Sequence, residues 1–276
     1  METKHQNHRN TIREVNPPLV QNFVCEPTQN VSEYESHSFF SKAQSTTNKQ
    51  KPLLENNDRN SRIRIASYNC KNIKTCGQSI NSILKNNDII LIQEHWLFHS
   101  QINIISDICN KINFAAKGVD IRDPLLPISL PRGYDRVAVL WNMNIDHLIR
   151  PIPDGTEKIQ CIELEGFDRN IIIISVYLPA VGSKNHQVEY HECIDELYEI
   201  YQKYSNSHDI ILGGDINEDL NDYKPNNPRK DYLKRFIHEL NLQYENRGNT
   251  FTNSKECECS ELDYFNVQNW TILYIT

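Results

Sequence analysis

The chain has 276 residues, of which 38% are apolar and 24% charged. At roughly 100 to 200 residues per domain this allows one large domain or two small ones, with enough apolar material for a core; it excludes a multidomain machine and a wholly disordered chain. The formal net charge of −7 provides no overall basic field to draw in nucleic acid or an anionic membrane, so a phosphate-bearing substrate needs a local device to hold it.

Residues 1–61 are about one quarter apolar and rich in Asn, Gln, Ser and Thr without sustained periodicity, which is expected of a disordered polar tail. The His-rich opening Met1–Asn10 has no apolar run behind it, so no secretory leader is expected and a reducing, intracellular compartment follows. Residues 62–276 are richer in apolar side chains and read as one folded domain. Arg62–Asn69 alternates apolar and polar residues, as a strand with one buried face should. Gln78–Leu84 reads as a short helix. Asp88–Glu94 is a continuous apolar strand ending in a carboxylate, and Ile105, Ile108 and Ile112 form a helical stripe within Ile102–Ile112. After a Pro-rich loop at 124–131, strands are expected at Asp135–Trp141, Lys158–Leu164 and Asn170–Leu178, joined as hairpins or a meander. Helices Glu189–Tyr204 and Asp231–Leu242 bracket a further strand, Asp209–Asn217, and short strands at Thr250–Thr252 and Glu261–Val267 close the chain. This alternation argues α/β. The most apolar stretch, Ile171–Pro179, is far shorter than the roughly 20 residues that cross a bilayer, so no membrane partner is expected.

Eight cysteines are mostly scattered through apolar runs, which favours buried free thiols. Cys257 and Cys259 form one C-x-C with no second pair at structural zinc spacing. His95 and His99 stand four apart, but His95 ends a strand-like run, so two surface or rim histidines are preferred over a metal pair.

Three apolar strands end in reactive side chains: Glu94, Tyr177, and Asp215 with Asn217. A single acid at a strand end is usually a solvated loop residue; several together, on a rigid scaffold, form a constellation. Gly213 and Gly214 before Asp215 permit either close approach of a ligand or simply a tight bend.

Ser67-Tyr68-Asn69, Gln93-Glu94, Arg132-Gly133-Tyr134, Val176-Tyr177-Leu178-Pro179, Gly213-Gly214-Asp215-Ile216-Asn217 and Leu262-Asp263-Tyr264-Phe265 occur in that order. This series resembles the endonuclease/exonuclease/phosphatase superfamily, and looks most like the apurinic-type endonuclease domains of non-LTR (LINE-type) retrotransposons, over residues 62–268. The resemblance implies a four-layered α/β sandwich of two packed mixed sheets flanked by helices. It also implies Mg²⁺, with Mn²⁺ as the alternative, held by Glu94 with Asn69 beside it. Asp215 would orient and deprotonate the attacking water, Asn217 would bond the water or a phosphate oxygen, and Tyr177 would point its hydroxyl at the scissile phosphate. Thr250 matches a phosphate-contacting position, with a β-favouring strand residue as the equal alternative. Lys71 and Lys74 are candidate contacts to a DNA phosphodiester backbone, or two exposed loop lysines. The chemistry needs such groups: phosphodiester hydrolysis adds charge to an anionic centre, so a cation and directed donors must stabilise it and a base must free the nucleophile.

The family pattern continues past the Asp263 motif into another strand and a Ser-Asp-His sequence whose histidine contacts the phosphate. No histidine follows His238 here. The expectation is therefore a C-terminally incomplete domain with an exposed sheet edge, partly covered by Trp270–Ile275, and a rate lowered on the order of 10²- to 10³-fold. Nicking of DNA is the leading reading. A phosphatase or phospholipase of the same superfamily, and an inactive remnant that binds nucleic acid or protein, are the alternatives. A genomic target would place the protein in the nucleus, although no Lys/Arg-rich localisation cluster is present.

Overall fold

The computed structural model describes residues 21–25, 62–120, 125, 133–182, 186–221, 226–244, 246, 248–252 and 258–267. Strands β1 (Gln21–Cys25), β2 (Ile63–Asn69), β3 (Ile89–Gln93), β4 (Ile112–Ala116) and β5 (Val137–Asn142) form one mixed sheet in the order β1-β2-β3-β5-β4. A second holds β6 (Ile149–Ile152), β7 (Ile159–Leu164), β8 (Ile171–Tyr177), β9 (Asp209–Asp215), β10 (Gln243–Tyr244) and β13 (Asp263–Val267), in the order β10-β13-β9-β8-β7-β6. The pair β11 (Phe251–Thr252) and β12 (Glu258–Ser260) stands apart. Helices α1 (Gly77–Leu84) and α2 (Ile104–Ile108) follow strands of the first sheet, and α3 (His186–Tyr204) and α4 (Pro228–Glu239) follow strands of the second.

Side-chain alternation explains the layering. Ile65, Leu91, Val139, Ile162, Ile173, Ile211 and Phe265 form a core between the two sheets. The opposite faces bury Ile90 and Ile92 against Ile80, Ile83 and Ile105, and Ile174 and Leu212 against Leu197, Tyr201 and Phe236. The result is the expected four-layered α/β sandwich. β8 is buried along its whole length, because a strand covered on both faces loses the polar half of its pattern.

Four local expectations are corrected. Gln21–Cys25, inside the stretch read as a disordered tail, is a strand that pairs antiparallel with β2; the rest of residues 1–61 lies outside the described residues. The helix expected over Ile102–Ile112 stops at Ile108, and Ile112 begins β4, which pairs with β5. The three-strand meander does not form: β5 runs antiparallel to β3 in the first sheet, whereas β7 and β8 form a hairpin in the second. A 3₁₀ segment, Met143–Leu148, and the edge strand β6 carry the chain between the sheets. Finally, His95 is fully buried rather than on a rim. Among the described residues the outer side of β13 pairs with β10 at Asn266 and Val267; Trp270–Ile275, expected to cover an exposed edge there, the Pro-rich loop apart from Leu125, and the side chains of Cys257 and Cys259 lie outside the described residues. Cys70, Cys161 and Cys193 are buried free thiols, as expected.

Candidate active site

The core between the sheets changes character toward one end. Ile65, Leu91, Ile173 and Ile211 give way two residues later to Ser67, Gln93, Ser175 and Gly213. Ser67 Oγ donates to Gln93 Oε1 at 3.2 Å, and Gln93 Nε2 to Ser175 Oγ at 3.4 Å, so the buried polar atoms satisfy one another across the gap. One more step along the strands brings Asn69, Tyr177 and Asp215. Tyr177, Asp215 and Asp263 are register partners on three adjacent strands and therefore share this face.

The central side chain is Asn69. Its Nδ2 donates to Glu94 Oε1 and to Asp215 Oδ2, both at 2.8 Å, and so ties the two sheets together. Asp215 Oδ1 accepts the Asn217 backbone N–H at 3.0 Å, and Asn217 Nδ2 donates to Leu178 O at 2.9 Å. Glu94 Oε2 accepts from Trp96 Nε1 at 3.3 Å. Glu94 and Asn217 both adopt left-handed backbone conformations, φ 56° and 53°, where functional sites tend to hold residues against their preference. The glycines have separate reasons. A Cβ on Gly213 would sit 2.5 Å from the Phe265 ring and 2.7 Å from Leu91, while Gly214, at φ +142°, passes so close to Val176 that a Cβ would meet its carbonyl at 2.1 Å.

Burial, then the neighbouring Asp263 charge, pushes the Asp215 carboxyl well above its ordinary range, with Glu94 adding to the effect and the Asn69 and Asn217 hydrogen bonds opposing it. Burial raises Asp263 to about 6, opposed by the Thr250 hydroxyl and the Lys71 charge. Tyr177 is raised too, by burial and by Glu94, Asp135 and Asp215, so its hydroxyl keeps its proton as a donor. Lys158 Nζ stands 5.5 Å from the centre of the Tyr177 ring and pairs with Asp135 at 2.8 Å. Beside Lys158 opens a groove of about 630 Å³ whose lining includes the acidic residues Asp135, Glu189 and Glu196 together with Arg136 and Lys158.

The chain matches the Endonuclease/Exonuclease/phosphatase family over residues 66–265. It belongs to that family. No curated protein sequence matches it significantly. Among solved structures, the AP endonuclease LMAP from Leishmania major superposes with a TM-score of 0.57 at 13% identity, over 74% of this chain and 78% of that one. The endonuclease domain of TRAS1, a telomere-specific non-LTR retrotransposon, gives 0.55 at 17% identity over 74% and 84%. The Neisseria 3′ phosphatase NExo bound to a product DNA hairpin gives 0.54 at 14% over 74% and 85%. These likenesses establish the shared fold, and membership of the Endonuclease/Exonuclease/phosphatase family makes the chain a hydrolase by resemblance.

Of the residues singled out in the sequence, Asn69, Glu94, Tyr177, Asp215, Asn217 and Asp263 come together at this end of the sandwich. Thr250 joins them indirectly. Its Oγ1 accepts the Leu262 and Asp263 backbone N–H groups at 2.9 and 3.1 Å, and its hydroxyl bonds the Asp263 side chain. Lys71 is exposed beside Asp263, whereas Lys74 Nζ is engaged by Gln101 Oε1 at 3.1 Å. His95 does not pair with His99: Nδ1 accepts the Leu97 N–H at 3.0 Å, so Nε2 carries the hydrogen toward Lys117 O at 3.2 Å, and burial lowers the ring to about 4.

Sequence reasoning passed over Arg229. Buried in the first turn of α4, it donates from Nη2 to Pro179 O at 2.6 Å and Asn217 O at 3.3 Å, and its guanidinium lies 3.9 Å from the centre of the Tyr190 ring. It holds together the two loops that follow Tyr177 at the end of β8 and Asp215 at the end of β9. An arginine directly after a helix-opening proline offers no signal of such burial.

Enzymes of this family typically use divalent metals, and the residues fit one. Asn69 Oδ1 is buried without a hydrogen-bond partner beside two carboxylates, and every candidate donor is oxygen. Among the described residues no three His, Cys, Asp or Glu side chains form a metal cage. The oxygen donors of Asn69, Glu94 and Asp215 suit a hard cation that retains several waters and takes one or two protein carboxylates.

Proposed function

We propose that the chain is a metal-dependent phosphodiesterase that nicks DNA. The observation that carries this reading is the Asn69 amide bridging Glu94 and Asp215 across the two sheets, with Tyr177, Asn217 and Asp263 around it. The choice of DNA draws support from the structural neighbours, among them an AP endonuclease, a retrotransposon endonuclease domain and a 3′ phosphatase bound to a product DNA hairpin.

Glu94 and Asn69 Oδ1 would hold the cation, Mg²⁺ or Mn²⁺, which when bound stabilises charge developing on the phosphate. Asp215 accepts the proton of the attacking water. Its raised pKa makes it a stronger base than an exposed carboxylate, and the Asn217 N–H and Asn69 amide fix its two oxygens. Tyr177, held protonated, donates toward a phosphate oxygen, and the side chain of Asn217, which also bonds Tyr177, keeps that hydroxyl in place. Lys71 offsets part of the negative charge on the substrate side. A genomic target would put the protein in the nucleus.

The test is nicking of supercoiled plasmid by the full chain with Mg²⁺, with EDTA, and for Asp215→Asn. Nicking that needs the metal and is lost in the variant is the expected result. A preparation that releases phosphate from an inositol polyphosphate and leaves plasmid intact would overturn the DNA reading, and one inert toward both substrates would favour the remnant.

A further inference from the structure

The segment Cys70–Cys76 links Asn69, at the end of β2, to α1, and its two cysteines meet. Cys76 Sγ lies 2.9 Å from the carbonyl oxygen of Cys70, and the two thiols share a side-chain hydrogen bond. Both are free; Cys70 is buried and Cys76 partly exposed. Cys76 stands at the N-cap of α1 and makes no side-chain capping bond. The Tyr68 hydroxyl also bonds its sulfur, and Thr75 Oγ1 lies 3.8 Å from it. On the other side, Cys70 Sγ contacts the Glu94 carbonyl at 3.6 Å, and Asn72 N donates to the same carbonyl at 2.8 Å. The pair therefore lies between a partly exposed helix end and the backbone of Glu94.

We propose that Cys76 and Cys70 form a peroxide-sensitive dithiol, in which Cys76 is oxidised first and Cys70 resolves it into a disulfide that constrains the loop against Glu94. The Cys76 thiolate attacks one peroxide oxygen and the O–O bond breaks, leaving Cys76 as a sulfenic acid and releasing hydroxide, which takes a proton to become water. The Cys70 sulfur then attacks the Cys76 sulfur. The S–O bond breaks, and the departing hydroxide leaves as water with the Cys70 proton. The sulfur pair loses two electrons and the peroxide gains them. Exposure and thiolate character select the first site. Hydrogen bonds from Cys70, Tyr68 and Thr75 lower Cys76 to about 5, against burial, which raises it, and against the Cys70 carbonyl, which favours the thiol. Closing the disulfide takes Cys70 Sγ from the Glu94 carbonyl and ties α1 to the end of β2. The loss of hydrolysis that should follow rests on the phosphodiesterase reading above.

The full chain is treated with hydrogen peroxide, alkylated with iodoacetamide and digested with trypsin. Cleavage after Lys71 and Lys74 separates the cysteines, so the disulfide is read as Ile65–Lys71 joined to Thr75–Lys85 with the loss of two hydrogen atoms. The joined peptide is expected to form before Cys161 or Cys193 is oxidised, to vanish with dithiothreitol, and to be absent in Cys76→Ser. In Cys70→Ser, dimedone should instead trap Cys76 as the sulfenic acid. No joined peptide in the wild type, with Cys76 still alkylated or oxidised beyond the sulfenic acid, would overturn the dithiol. Plasmid nicking by the same samples should be lost on oxidation and return with dithiothreitol; unchanged nicking alongside the joined peptide would overturn the coupling to Glu94. Absence of nicking in the reduced protein would count against the phosphodiesterase reading alone, since the peptide still decides the dithiol.

Discussion

Asp263 faces Asp215 directly across the antiparallel pair β13 and β9, so two carboxylates occupy one buried level of the sheet. Burial pushes Asp263 up to about 6, whereas an unfolded chain releases that proton near pH 4. The native state thus binds the proton more tightly, and its stability falls as pH rises from about 4 toward 6. Asp263→Asn removes that penalty. Thermal melts should show the variant melting above the wild type at pH 7.5 and level with it at pH 4, while its nicking rate drops. Equal melting temperatures at both pH values would contradict the burial penalty on the Asp263 carboxylate.

Asn69 bonds both Glu94 and Asp215 and so joins the two sheets at the site. Asn69→Asp replaces the donor with a third negative charge and should lower nicking by about 10²- to 10³-fold, the scale of losing one aligned active-site donor. Asn69→Ala should cost a similar factor yet raise the metal concentration needed for half-maximal rate, because the orphaned Oδ1 is lost as well. A metal titration of both variants separates these effects; wild-type rates in either would remove Asn69 from the site.

The adjacent glycines should respond differently to alanine. At Gly213 the new methyl meets side chains of Phe265 and Leu91, which can shift, so Gly213→Ala should cost about 1 to 3 kcal/mol of overpacking. At Gly214 it meets the Val176 backbone carbonyl under a left-handed φ, where nothing yields. Gly214→Ala should therefore be the more destabilising, and urea unfolding midpoints give the order directly.

The strands that frame the site were legible because each ends an apolar run in a polar group: Ile89–Ile92 before Glu94, and Ile210–Leu212 before the glycines and Asp215. What the residues alone did not reveal is set by tertiary pairing. Ile105, Ile108 and Ile112 fit a helical stripe, and only the edge offered by β5 turns Ile112–Ala116 into a strand. Ser67 and Gln93 are polar, yet they share a face with Ile65 and Leu91 that the second sheet covers, and they become a buried polar layer. His95 is buried among the segments after β3 and β4, where it bonds Leu97 N and Lys117 O, and the meeting of loops after β8 and β9 buries Arg229. Local pattern names the elements; which face a partner sheet covers depends on contacts far apart in sequence.

Acid stability should depend on Glu163, at the far end of the second sheet. Its side chain is 3% exposed and accepts from Arg150 Nε at 2.9 Å, Asn170 Nδ2 at 2.7 Å and, when protonated, His208 Nε2 at 3.1 Å. Burial alone would raise this carboxyl, but the three partners outweigh it and hold it below its ordinary value. A depressed native pKa contributes stability that is complete above the unfolded value near 4.3 and is lost as pH falls through the native one. Glu163→Gln should therefore unfold more easily than the wild type at pH 7, by up to about 1 kcal/mol, because the Arg150 side chain is 67% exposed and water takes over part of the lost interaction. The gap should narrow as the wild type is acidified below pH about 4. A difference in unfolding free energy that stays constant from pH 7 to 3 would mean that packing, and not the carboxylate charge, is what Glu163 contributes.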